Sequence, residues 1–129
     1  MYKDYKHLTQ IHLKGRSKNI VADDLFVKQI RDSRGRTYFR AIISDSKLTR
    51  KSPWTPNQKS ELINVFRDNP NKKFIEFEVR SSKSILSEQG APKGLRTVRI
   101  YREDVYKIIS ERDNIKIPPI NMNNINFKD

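Results

Sequence analysis

The chain has 129 residues, with 27 Lys+Arg against 15 Asp+Glu and a net charge of +12. At this length one domain is expected, and hydrophobic residues at 35% allow only a small core in a largely solvated chain. No apolar run approaches the roughly 18 residues that span a bilayer, no apolar signal core follows Met1, and the absence of Cys excludes disulfides, thiolate zinc sites and cysteine catalysis. These features suggest a cytoplasmic protein with a polyanionic partner and no membrane.

Residues 1–20 read as a basic arm or a short helix. Lys3, Lys6, Lys14, Arg16 and Lys18 face Asp4 alone, and Leu8, Ile11 and His12 fall at helical spacing between about Asp4 and Leu13. Gly15 would end that helix. The domain proper is expected over residues 21–114. It opens with two β-prone runs, Leu25–Ile30 and Thr37–Ile43, joined by Arg31-Asp32-Ser33-Arg34-Gly35-Arg36. Asp, Ser and Gly are turn formers, so the pair predicts a β-hairpin. In its second strand Phe39, Ala41 and Ile43 share one face, and Tyr38, Arg40 and Ile42 the other.

Thr55-Pro56-Asn57-Gln58 predicts a helix start: an N-cap Thr, Pro at the first helical position and Gln completing a capping box. Trp54, just before the cap, is placed as a staple or core residue. Leu62, Val65 and Phe66 would form the buried stripe, and Asp68-Asn69-Pro70 ends the helix. Phe74–Arg80 then alternates as a strand with Ile75, Phe77 and Val79 inward. A polar loop follows over Ser81–Gly94, and Leu95–Tyr101 reads as a fourth strand. A second helix is expected from about Glu103 to Arg112, with Val105, Ile108 and Ile109 as its stripe and acidic residues in its first turn. The tail, residues 115–129, has no period that would bury a face and is taken as extended or disordered. The predicted fold is α+β in ββαββα order: a four-stranded antiparallel sheet with both helices on one face and the other face open.

The charge is unevenly spread. Between residues 28 and 51 lie Lys28, Arg31, Arg34, Arg36, Arg40, Lys47, Arg50 and Lys51, opposed only by Asp32 and Asp45. A guanidinium-rich hairpin tip is suited to forking onto phosphate oxygens. The outer sheet face adds Tyr38 and Arg40, Phe74 and Arg80, and Arg99 and Tyr101. Rings interleaved with arginines suit unpaired bases and their phosphates, although Glu76 and Glu78 on the same face oppose an anion. Lys83 and Lys93 in the loop and Arg96 at the start of the fourth strand extend the basic surface, and the Ser, Lys and Gly residues of the loop do not match a P-loop. The expectation is a non-enzymatic protein that binds single-stranded DNA or RNA without a cofactor.

The catalytic alternatives are specific. His7 and His12 could act as a general acid–base pair on RNA, but five residues of helix would set them 140° apart. Glu76 and Glu78 with Asp68 could hold a divalent metal for a nuclease, although Glu78 stands where a lysine would assist. A small RNase-type toxin is therefore one alternative. Another is a basic inhibitor or adaptor, such as a phage- or mobile-element-encoded factor, docking an acidic protein surface or nucleoprotein complex. A homo-oligomer is compatible with either.

Overall fold

In the hairpin read from the sequence, Leu25 and Val27 on one strand and Ala41 and Ile43 on the other turn inward and are buried, and the rest of the chain builds on this pair. The computed structural model describes residues 4–47, 54–111, 115–116 and 120–121. Its elements are β1 (Lys6–Lys14), β2 (Asn19–Arg31), β3 (Thr37–Lys47), helix α1, β4 (Phe74–Val79), helix α2 (Lys83–Glu88) and β5 (Thr97–Glu111). Helix α1 runs through Pro56–Gln58, a wider π turn Lys59–Ile63, and Asn64–Asp68. Two-residue strands, β6 (Ile115–Lys116) and β7 (Ile120–Asn121), pair with β5.

Strands β1, β2 and β3 form an antiparallel meander, and β4 returns beside β1, the spatial order of a Greek key. Strand β5 then pairs antiparallel with β4 and parallel with β3, which closes five strands into a ring. Partners followed from Lys6 through Val27, Ala41, Ile100 and Ile75 lead back to β1 beyond Leu13 rather than to Lys6. That stagger tilts the strands and lets so few of them enclose a core. Leu8, Ile11, Leu13, Phe77 and Ile100 are fully buried within it, packed with Leu62 and Phe66 of α1.

The α+β class expected from the sequence is present, but the layout is a mixed five-stranded sheet with one helix of any length. The expected helix near Asp4–Leu13 is strand β1. Leu8, Ile11 and Leu13 are its inward residues, and the step of three between the first two spans Gln10, at φ 52; β2 makes the same step from Ala22 to Leu25, so the pairing register continues unbroken. An irregularity matched on two paired strands thus imitates helical spacing. The expected helix from Glu103 to Arg112 is likewise the second half of β5. Between Ala41/Ile43 on β3 and Ile100/Val105 on β5 the register jumps, so the β5 segment between Ile100 and Val105 bulges. From Val105 to Ile109 the strand pairs one for one with β3, and the apolar spacing there only resembles a helix. The supposed loop over Ser81–Gly94 contains α2. Most of the tail lies outside the described residues.

Helix α1 begins as read: the Thr55 hydroxyl accepts from the Gln58 N–H at 3.2 Å, and the Gln58 side chain accepts from the Thr55 N–H at 3.0 Å. Trp54 packs against the core. The wide turn sets three consecutive residues inward, Glu61, Leu62 and Ile63. Glu61 Oε1 accepts from the backbone N–H groups of Ser17 and Lys18, both at 2.6 Å, tying the β1–β2 turn to the helix. A Cβ on Gly15 would stand 2.8 Å from that same oxygen, so glycine is required by the close approach. At the other end of α1, Arg102 of β5 donates to the carbonyls of Phe66 and Asn69 at 2.9 Å and covers the Phe66 ring. These contacts satisfy carbonyls that a helix end leaves without partners.

The loop holding α2 lies along β1 where β4 does not reach. Ser81 Oγ accepts from the His12 N–H at 2.9 Å, the Arg80 N–H donates to the His12 carbonyl at 2.8 Å, and the Gln89 amide pairs with both backbone groups of Thr9. Among the described residues no helix is long and apolar enough to cross a membrane.

Burial alone would raise the Glu61 carboxyl, but the hydrogen bonds from Ser17 and Lys18 outweigh it and hold it below the ordinary glutamate value. The charged form is thus favoured by folding, so its stabilisation is full above the ordinary pKa and is lost as pH falls through the lower folded value. Glu61→Gln should lower unfolding free energy by about 1–3 kcal/mol at neutral pH. Denaturant titrations of the two proteins should converge below about pH 4, while a constant difference across the acid range would count against the tie.

Candidate nucleic-acid interface

The hairpin tip is built by one carboxylate. Asp32 Oδ1 accepts from the backbone N–H groups of Arg34 and Arg36, both at 2.9 Å, and Gly35 takes the left-handed conformation at φ 80. Arg36 also pairs with Asp32 through Nε at 3.2 Å. Arg31 and Arg34 are exposed, while Lys28 lies 3.8 Å from Asp4 and over the Tyr5 ring. The tip therefore presents cations on a rigid turn. Arg50 and Lys51 lie outside the described residues.

Barrel closure brings the outward side chains of β3, β5 and β4 into one register row, because Arg40 pairs with Arg99 and Arg99 with Glu76. Around that row gather Tyr38, Phe74 and Tyr101. The Arg99 guanidinium lies 4.3 Å from the Tyr38 ring and 4.8 Å from that of Phe74. Arg40 lies 4.6 Å from the Tyr101 ring, and the Phe74 and Tyr101 rings are 5.3 Å apart. A hydrogen bond with Tyr101, reinforced by partial burial, pushes the Tyr38 hydroxyl up. The alternation of Arg and aromatic residues in the sequence is thus one contiguous cluster on the barrel wall.

Its two arginines differ. Arg40 forks onto Asp104, Nε to Oδ2 at 2.7 Å and a terminal nitrogen to Oδ1 at 3.2 Å, and reaches Glu103 at 3.5 Å. The Asp104 hydrogen bond, against some desolvation, holds the Arg40 guanidinium well above its ordinary value. Burial pushes the Asp104 carboxyl up, and Arg40 pulls it back only in part. Arg99 has no such fork. Its Nε is buried without a hydrogen-bond partner, and the Glu76 carboxylate stands at an ion-pair distance of 3.7 Å.

The surface has limits. Ile42 and Ser44 turn outward in the alternation of β3 yet are only 6% and 3% exposed, so the cluster is confined to the start of that strand. Across β1 and β2 the outer face carries Asp24, bonded to His7 Nε2 at 2.7 Å, and His7 stacks on Phe26 at 4.5 Å.

The remaining sequence candidates separate from the cluster or from one another. Arg80 pairs with Glu78 at 2.9 Å, and Lys83, Lys93 and Arg96 lie on the exposed loop between β4 and β5. His7 is engaged by Asp24 and Phe26, whereas His12 is held through its backbone by Arg80 and Ser81. Glu76 and Glu78 each face an arginine, and Asp68 pairs with Arg67 at 3.0 Å. No group of three or more potential ligands that could hold a metal ion occurs among the described residues. The sequence places Asp104 in the first turn of an expected helix, and its pairing with Arg40, 64 residues away, has no local signal. No protein-family model, no curated protein and no solved structure matches the chain.

Asp104→Asn would remove the charge and one of the two acceptors of the fork. Since Arg40 is partly solvated, the expected loss is about 1–3 kcal/mol of stability rather than the larger penalty of a fully buried pair. A thermal midpoint equal to the wild type would show that the fork contributes nothing.

Proposed function

We propose that the protein binds single-stranded nucleic acid without catalysing a reaction on it. The observation that carries the reading is the cluster of Tyr38, Arg40, Phe74, Arg99 and Tyr101 on one barrel wall of a chain with net charge +12. Aromatic faces give bases a stacking surface at about 1–3 kcal/mol each, and cations hold the backbone. The Arg31–Arg36 tip and the basic residues of the β4–β5 loop supply sequence-independent phosphate contacts.

The architecture adds support by analogy. Five-stranded Greek-key barrels of the oligonucleotide/oligosaccharide-binding type use the face of their second and third strands with the loops after the first and fourth. Fold analogy is weaker than site chemistry. Here the carboxylates of β2 also move the favourable surface towards β3, β5 and β4. A nuclease is the weaker reading because His7, Glu76 and Glu78 are engaged in separate pairs, with Asp24, Arg99 and Arg80.

Fluorescence anisotropy with labelled oligo(dT) and oligo(rU) tests the proposal directly. Affinity should fall steeply between low and moderate salt, as counterions released by bound phosphates predict. Binding that is absent, or indifferent to salt, would refute it. Arg34→Ala with Arg36→Ala should weaken binding to every sequence alike and lower the salt slope by up to about two, with the melting temperature little changed.

A further inference from the structure

The two arginines of the cluster carry different chemistry. Aromatic rings engage a guanidinium through its faces, which leaves the N–H edge for acceptors. In Arg40 that edge is taken: Asp104 accepts in a fork and Glu103 adds a second carboxylate. An incoming phosphate would meet a cation already neutralised. In Arg99 the rings of Tyr38 and Phe74 hold the plane, yet Nε donates to nothing and Glu76 is beyond hydrogen-bond reach at 3.7 Å. The Glu76 side chain is itself 55% exposed, so an anion could replace its carboxylate without opening the barrel.

We infer that Arg99 is the phosphate anchor of this surface, that Tyr38 and Phe74 beside it seat bases of an unpaired strand, and that Arg40 is a positioning residue acting through Tyr101. This rests on the single-strand reading above. The ligand chemistry is a phosphodiester flanked by unstacked bases, which DNA and RNA single strands share. A duplex offers phosphates but keeps its bases stacked on one another, so it would use the anchor without the rings. Glu76 acts as a local competitor, holding the site against weak anions until a polyanion displaces it.

The test uses the full chain with oligo(dT), oligo(rU) and a blunt DNA duplex at two salt concentrations, each variant checked for its melting temperature. Arg99→Lys keeps the charge and loses the planar fork; affinity for the single strands should fall about tenfold. Arg99→Gln should also reduce the salt slope by about one, whereas Glu76→Gln should tighten binding by a few fold. Phe74→Leu should weaken the single strands more than the duplex. Arg40→Lys should weaken binding in the wild-type background, leave the salt slope unchanged, and have no effect on affinity once Tyr101 is Leu. An additive loss would instead make Arg40 a direct contact. Comparison of oligo(dT) with oligo(rU) decides between DNA and RNA.

If the wild type binds single strands but Arg99→Gln keeps both affinity and slope, the anchor assignment falls and the single-strand reading stands. If Phe74→Leu affects duplex and single strand alike, the base-seating role falls. If the wild type binds neither single strand, the functional reading and this inference fall together.

Discussion

A five-stranded ring encloses a core only when its strands tilt and its pairings stagger around the axis, so that side chains rather than a void fill the centre. In this protein that condition is met through the parallel pairing of β3 with β5, which takes over where β4 stops and carries the chain from Arg40/Arg99 to Lys47/Ile109. Everything else depends on it. Without that pairing, β1–β4 would be an open sheet with two exposed edges, and the inward residues of β5 would have no interior to enter. The ring also demands local departures from regular strand geometry, because steep coiling in so small a barrel concentrates at bulges. The segment between Ile100 and Val105 on β5 supplies one, and Gln10 on β1, at φ 52, marks a second departure that leaves the register with β2 intact.

The bulge on β5 links fold to surface. It places Asp104 where it receives the Arg40 fork and leaves Tyr101 outward beneath the same guanidinium. One irregularity therefore closes the barrel, anchors one arginine and sets an aromatic ring. The neighbouring Arg99 escapes that fate only because its register partner on β4, Glu76, comes no closer than an ion-pair distance. Elsewhere many cations are engaged locally: Arg36 with Asp32, Arg67 with Asp68, Arg80 with Glu78, and Arg102 with the end of α1. The net charge of the chain is thus not a measure of cations ready for a ligand, and the position of each arginine matters more than the sum.

The elements whose information is local could be read directly. The Asp32–Gly35 turn follows from turn chemistry, the start of α1 from its capping box, and the inward set of β4 from strict alternation. The outer-face grouping of Tyr38 and Arg40 with Phe74 and with Arg99 and Tyr101 was legible for the same reason, since period-two alternation survives in whichever sheet the strands join. Strand β1 and the second half of β5 imitate helices for different reasons: in β1 a step matched on β2 turns alternation into three-residue spacing, and in β5 Val105, Ile108 and Ile109 stand at helical spacing within a regularly paired strand. The roles of Glu61 and Arg102 had no local signal, as their partners lie far away in sequence at Ser17, Lys18, Phe66 and Asn69.

By itself, the sequence determined the class of the fold, the hairpin and its cationic tip, the helix boundaries of α1 and the side-chain sets that face outward. These are properties of neighbouring residues, fixed by turn preference, capping and periodicity. Tertiary structure decided that the sheet closes, that β5 continues as a strand, and that Arg40 is held by Asp104 while Arg99 keeps an unmatched donor. Those outcomes depend on long-range register: a hydrogen-bonded partner exists only once distant strands have met, and no pattern along the chain specifies which residue will stand opposite.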